Sequence, residues 1–183
     1  MSTPIQTHKH TTATEKPEEL QRKAEIHVED GPVTADYEAD REAVLGILDK
    51  ALATELVCFL RYRRHHYMAH GLRARAAAAE FLEHSQQELD HGHRIAQRIT
   101  QLGGRPDLDP SSFADRSHSD YVECRSLEEM VRENLVAERI AIATYRELIR
   151  TIGDRDPTTR RLLESVLAVE EEHADDLVNL LTD

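Results

Sequence analysis

Six ionisable residues of this chain stand in the middle of apolar helix stripes, where a folding sequence ordinarily places leucine, valine or isoleucine. Four of them form a repeated Glu-x-x-His pattern, Glu88 with His91 and Glu170 with His173. The other two, Glu55 and Glu138, are lone acids on separate helical stretches. A Glu and a His three residues apart share a helix face, so each repeat offers a carboxylate oxygen and an imidazole nitrogen to one ion. A single acid on such a face can be neutral, hydrogen-bonded or tilted toward solvent. Four acids facing one another without a cation repel and forfeit their hydration. Two divalent metals would cancel that charge and supply the missing partners. The set is that of a carboxylate-bridged dinuclear centre, and it requires four helices to meet at one point.

The apolar periodicity supplies those helices. From Asp40 to the stop at Gly71, Val44, Ile47, Leu48, Ala51, Glu55, Cys58, Phe59 and Tyr62 step by three and four. A second helix runs from about Arg73 to Gly103-Gly104 with Phe81, His84, Glu88, His91, Ile95 and Ile99 on one stripe, and the tight turn before it predicts an antiparallel hairpin. Gly103 to Arg125 holds two prolines, four serines and four aspartates without periodicity, too long for an ordinary helix connection. It predicts a crossover along the bundle that sets the third helix parallel to the second. The third helix opens with a capping box at Ser126 and Glu129, carries Val131, Leu135, Glu138, Ile142 and Tyr145, and ends at Gly153. Asp156-Pro157 restarts the chain as N-cap and first helical residue of a fourth helix with Leu163, Val166, Glu170, His173 and Leu177. The expected fold is all-α: an antiparallel four-helix bundle over residues 38–183 with one long crossover and no fifth helix. Residues 1–37 precede it as a flexible polar arm with one short helix near Glu18 to Ala24.

Charge and cysteine usage remove several classes of function. With 35 acids against 23 bases the formal charge is −12, which disfavours attraction to nucleic acid or anionic lipid and favours cations. Residues 1–38 hold four Lys and Arg against eight acids, so an arm that binds DNA is not expected. Cys58 and Cys124 form neither a disulfide framework nor a metal knuckle, which suits two free thiols in a reducing compartment. No segment approaches the run of about 18 apolar residues that a membrane span needs, and Met1 to Thr14 lacks the apolar core of a signal peptide. Cytoplasmic localisation is the expectation.

Through the stretches ATELVCFLRY, QELDHGHRIAQRITQLGG, LVAERIAIATYREL and VEEEHADDLVNLL the chain resembles the ferritin-like superfamily. Within it, the likeness is to bacterioferritins and the bacterioferritin-like Dps proteins (DNA-binding proteins from starved cells), and it covers about Asp40 to Asp183. The resemblance implies two iron ions per subunit, with Glu55 and His91 terminal to one, Glu138 and His173 terminal to the other, and Glu88 and Glu170 bridging. Manganese or zinc would suit the same donors. It further implies a ferroxidase that oxidises Fe(II) with peroxide or oxygen, stores Fe(III) mineral in a homo-oligomeric cage and so protects against oxidative stress. Tyr62 falls where the family has a tyrosine beside the metals, a phenol able to give an electron. The residues alone fit equally a packed tyrosine whose hydroxyl finds a partner.

Two departures shape the expectations. Bacterioferritin ligates haem through a methionine directly after the first Glu-x-x-His glutamate; Leu89 stands there, so no haem is expected. The chain ends ten residues after His173, without the fifth helix that lines fourfold channels in a larger shell, which points to a twelve-subunit cage. Some Dps-like relatives carry a cysteine pair near the metals, but Cys58 and Cys124 do not match it, and Cys58 is expected to fill core space. His65, His66 and His70 close the first helix, where a solvated positive charge suits the dipole. His84, one turn before Glu88, is placed to support a ligand. His8 and His10 flank Lys9 in a pattern that binds stray metal or nothing. The alternatives on the same bundle are a rubrerythrin-like peroxidase or manganese catalase without mineral storage, and a shell that compacts DNA.

Overall fold

The structure, a computed structural model, describes residues 15–71 and 74–182. The chain divides between Tyr37 and Glu38 into two compact units, each described by itself. In the first, Pro17 opens α1 (Pro17–Ala24), and a 3-10 turn follows at Val28–Asp30. His8 and His10 lie outside the described residues.

The second unit is built on four long helices, α2 (Arg41–Met68), α3 (Arg75–Gln101), α5 (Leu127–Ile152) and α6 (Pro157–Thr182), with the short α4 (Phe113–Arg116) in the crossover. Local chemistry sets most of their ends. Asp40 caps α2 by accepting from the Ala43 amide at 3.1 Å. α3 closes in a Schellman motif, the Gly104 amide on Ile99 O and the Gly103 amide on Thr100 O, both at 2.9 Å. Gly103 takes the left-handed φ of 76° that this motif requires. A Cβ on Gly104 would stand 2.6 Å from Leu45 Cδ2 and 2.9 Å from Ile99 Cγ2, so a larger residue there would have to displace both side chains. The capping box of α5 is present, Ser126 Oγ accepting from the Glu129 amide while the Glu129 carboxylate accepts from the Ser126 amide.

The crossover is stapled along α2 in rising order. Arg116 pairs with Asp49 at 2.7 Å, the His118 amide donates to Thr54 Oγ1 at 3.0 Å, and Arg61 donates to Ser119 Oγ at 2.8 Å and Asp120 O at 2.9 Å. The chain therefore travels the length of α2 before α5 begins. α5 runs antiparallel to α2 and parallel to α3, as the aperiodic stretch predicts. Leu48, Leu52, Phe81, Ile95, Leu163, Val166 and Leu177 fill the interior from three of the helices. Among the described residues no helix is long and apolar enough to cross a membrane.

One expectation needs correction. His65 is not a solvated C-terminal histidine: it is fully buried, with Nδ1 3.0 Å from Asn134 Nδ2 and its ring against Phe81. It lies one turn after Tyr62 on the inward face of α2. Burial, and then the charge of Arg61, push its pKa down to about 4. His66 turns aside instead, to Ala78 O at 2.7 Å.

The start of α6 depends on one buried ion pair. Asp156 accepts from the Thr159 amide at 2.9 Å as N-cap, and also from Arg98 Nη2 at 3.0 and 3.1 Å. Asp156→Ala removes the cap and leaves the Arg98 guanidinium buried without its carboxylate. We expect a loss of about 3–5 kcal/mol in the urea unfolding free energy, where an exposed cap alone would cost about 1 kcal/mol.

Candidate metal centre

All six residues singled out by their place on apolar stripes converge in the middle of the bundle, each no more than 2% exposed. They form two overlapping groups, Glu55, Glu88, His91 and Glu170 in one and Glu88, Glu138, Glu170 and His173 in the other; within each, donor atoms lie within 4.8 Å of one another. Glu88 and Glu170 belong to both. His91 Nδ1 stands 3.1 Å from Glu55, 3.7 Å from Glu88 and 3.0 Å from Glu170. His173 Nδ1 stands 3.6 Å from Glu88, 3.9 Å from Glu138 and 3.6 Å from Glu170. Each imidazole thus faces one lone acid and both shared ones.

Those contacts are not a closed hydrogen-bond network. Glu88 Oε1, both carboxylate oxygens of Glu170 and His173 Nδ1 are buried with no hydrogen-bond partner. His91 Nδ1 approaches Glu170 Oε1 to 3.0 Å without a hydrogen bond that satisfies that oxygen. Orphaned buried oxygens are costly, and cations at the shared focus would satisfy them. Nitrogen and carboxylate donors with two shared acids fit a pair of divalent ions.

A second layer holds the donors. The two tyrosines are crossed: Tyr62 of α2 donates to Glu138 Oε1 of α5, and Tyr145 of α5 donates to Glu55 Oε1 of α2. Antiparallel helices with Glu and Tyr seven residues apart bring each phenol opposite the other helix's acid. His173 Nε2 is 2.7 Å from Gln87 Oε1, which fixes the ring with Nδ1 inward. Gln87 has no periodic signature and is legible only in three dimensions. The same holds for Arg61 and Asn134, both fully buried and joined at 2.9 Å. A surface depression lined by Gln87, Asp90, His91, Arg94 and Val169 reaches the first imidazole from outside.

The electrostatics show what the donors do on their own. Burial, then the charge of Glu88, lifts Glu55 to about 8. The same two causes hold Glu170 well above the carboxylate range. Burial pulls both imidazoles down, but the acids facing them outweigh it, Glu170 foremost for His91 and Glu138 for His173, so His91 rises to about 12 and His173 rises as well. Glu88 is pushed up by burial but drawn below its ordinary value by His173 and His91. Protons take the place of cations, so metal binding must expel them.

A buried double carboxylate–histidine cluster at the centre of a four-helix bundle with a single long crossover defines a class of metal-binding bundle. The chain belongs to the ferritin family: the family model, a ferritin-like domain, matches residues 45–183, which include all six donors. A nutrient stress-induced DNA-binding protein of a Nostoc species is 33% identical over 162 residues, covering 84% of this chain and 85% of that relative. A DNA protection during starvation protein of Pyrococcus furiosus is 30% identical, covering 78% of this chain and 79% of its own. Among solved structures, the bacterioferritin-related protein of Bacteroides fragilis, described as a dodecameric thioferritin, superposes with a TM-score of 0.77 at 30% identity, covering 80% of this chain and 88% of that one.

The proton count carries a signed prediction. Between the ordinary histidine pKa of 6.5 and the Glu55 value of about 8, the metal-free folded chain keeps protons on His91, His173, Glu55 and Glu170 that the unfolded chain has released. More protons bound in the native state means that stability falls as pH rises, by about 1.4 kcal/mol per pH unit for each proton retained. The melting temperature of the metal-free protein should drop from pH 6.5 to pH 8, and saturating Zn(II) should abolish the drop. A metal-free melting temperature that rises over this interval would contradict the arrangement.

Proposed function

We propose that the protein is a ferroxidase of the Dps and bacterioferritin type, which takes two Fe(II) per chain as substrate and stores the Fe(III) product in a cage of twelve copies. The observation that carries this reading is the sharing of Glu88 and Glu170 between the two donor groups, with Glu88 Oε1 and both Glu170 oxygens free of hydrogen bonds. Shared carboxylates keep two ions close enough to act as a two-electron unit. With peroxide as oxidant the balance is complete: each Fe(II) loses one electron, the O–O bond breaks, and two hydroxides form. Dioxygen takes the two electrons of one Fe(II) pair and two solvent protons to give peroxide, which oxidises a second pair. Where peroxide meets a single Fe(II), which gives one electron, Tyr62 is the proposed source of the second, its proton passing to Glu138, to which the phenol already donates.

The chain's own residues divide the remaining work. Glu55 and Glu138 bind from the outer sides, each oriented by a phenol. Gln87 orients His173. Phe81 and Leu177 pack with Tyr62 in one buried apolar cluster, which keeps bulk water from that side of the site. Mineral storage needs a closed shell built on repeated interfaces. Leu60, Leu89, Val136 and Ile140 remain 38–51% exposed on three helices and are the apolar surface such interfaces would cover. DNA binding is not part of the proposal, because the formal charge of −12 opposes it. Two relatives do carry DNA in their names, so an electrophoretic shift at low salt is the direct check.

Rapid mixing of the metal-free protein with Fe(II) and then peroxide tests the chemistry. Glu88→Ala or Glu170→Ala should slow oxidation by more than about 100-fold, beyond the 10- to 100-fold cost of losing an orienting partner, and Gln87→Leu should fall within that lower range. Wild-type rates in both glutamate variants would sink the assignment. Mass photometry tests the cage: twelve chains of 20.9 kDa make about 250 kDa. A small oligomer that consumes peroxide without retaining iron would make the protein a peroxidase or catalase instead.

A further inference from the structure

Next to the six-residue centre lies a set of donors to which the ferroxidase chemistry assigns no role. Glu80 and His84 sit one turn apart on α3 and Asp176 faces them from α6; one donor atom of each lies within 4.8 Å of the others. His84 is 1% exposed, yet neither of its ring nitrogens makes a hydrogen bond. A buried, unpartnered imidazole is costly unless something else uses its lone pair. Its Nε2 faces both acids, 3.7 Å from Glu80 Oε2 and 3.5 Å from Asp176 Oδ2.

Those separations decide what the cluster is built for. They exceed the usual hydrogen-bond range of about 2.7–3.2 Å. They lie near the roughly 3.3 Å between neighbouring ligands of a tetrahedral ion with bonds of about 2.0–2.1 Å. Both acids are partly open to solvent, 37% and 40% exposed at the side chain, and among the described residues neither pairs with a lysine or arginine. The inner end of the cluster is different. The His84 ring stacks on His173 with centroids 3.9 Å apart and meets Tyr62 edge-on at 5.2 Å. The cluster therefore spans from solvent to a residue of the inner centre through the thickness of one imidazole.

We propose that Glu80, His84 and Asp176 bind a single divalent cation, a third site distinct from the six inner donors. Three protein ligands leave a position for water, so the ion exchanges with solvent. Placed there, the site serves as a loading position for cations bound for the inner donors; this role, unlike the binding itself, rests on the ferroxidase function.

Crystals of the intact oligomer soaked in Zn(II) alone, with anomalous data at the zinc edge, test the site. A peak is expected about 2.1 Å from His84 Nε2, both in wild type and in Glu170→Ala, which disables the inner centre. The double variant Glu80→Gln, Asp176→Asn, isosteric and partly exposed, should lose that peak and keep the inner ones. A wild type with no peak there, or a double variant with an undiminished one, overturns the proposal. For loading, the double variant should fill its inner centre with Fe(II) about tenfold more slowly, the lower end of the outer-partner range, and still reach two per chain. Equal filling rates overturn the loading role. A wild type that shows the zinc peak but takes no Fe(II) into the six donors removes the loading role and the ferroxidase function together and leaves the cation site standing.

Discussion

Mutual repulsion among four carboxylates in a dry bundle is the constraint on which the rest of this structure depends. Glu55, Glu88, Glu138 and Glu170 are each 1% exposed, and the charged groups nearest them are two imidazoles and one guanidinium. Arg61, buried beside Tyr62, lends some positive potential, but its hydrogen bonds go to Asn134, Ser119, Asp120 and Cys58 rather than to the acids. The chain therefore carries a charge problem that it does not solve internally. Divalent cations would solve it, and protons on His91, His173, Glu55 and Glu170 do so in their place.

Holding such a cluster sets demands on topology. Glu55 and Glu138 must oppose each other across the core, which requires α5 antiparallel to α2, and Glu88 and Glu170 must meet between α3 and α6. A short connection after α3 would send the next helix antiparallel to α3. The long crossover reverses that direction, and its ordered attachment to Asp49, Thr54 and Arg61 fixes how far the chain travels before α5 starts. The crossed tyrosines follow from the same geometry. Each phenol binds the acid of the opposite helix, so the two halves of the site are tied together at both ends by hydrogen bonds that survive burial.

Polarity also grades along the α3–α6 seam. Asp156 with Arg98 closes one end as a saturated ion pair whose hydrogen bonds are complete. The inner six donors occupy the middle with oxygens left over. Beyond them, Glu80 and Asp176 open toward solvent around His84, both of whose ring nitrogens are left over. The first is satisfied by its own hydrogen bonds, whereas the other two leave buried polar atoms without a partner.

Much of this was legible in the residues themselves. Apolar steps of three and four give four helices, and Asp40, Ser126 and Asp156-Pro157 mark three starts while Gly103 and Gly153 mark two ends, because caps and left-handed glycines act locally. Six polar residues breaking the stripes are the ones that the structure brings together at the centre of the bundle, since burying charge on an apolar face demands a reason. Tertiary structure alone decided the rest. That Tyr62 serves Glu138 and not Glu55 depends on helix direction. Gln87 lies off the stripe and becomes the partner of His173 only when α6 docks. His65 looks like a solvated helix end until Asn134 and Phe81 close over it. The Glu80–His84–Asp176 cluster draws on residues 92 positions apart in sequence, His84 and Asp176. Periodicity reports which face of a helix is buried; which residues of another helix it meets there is a property of packing.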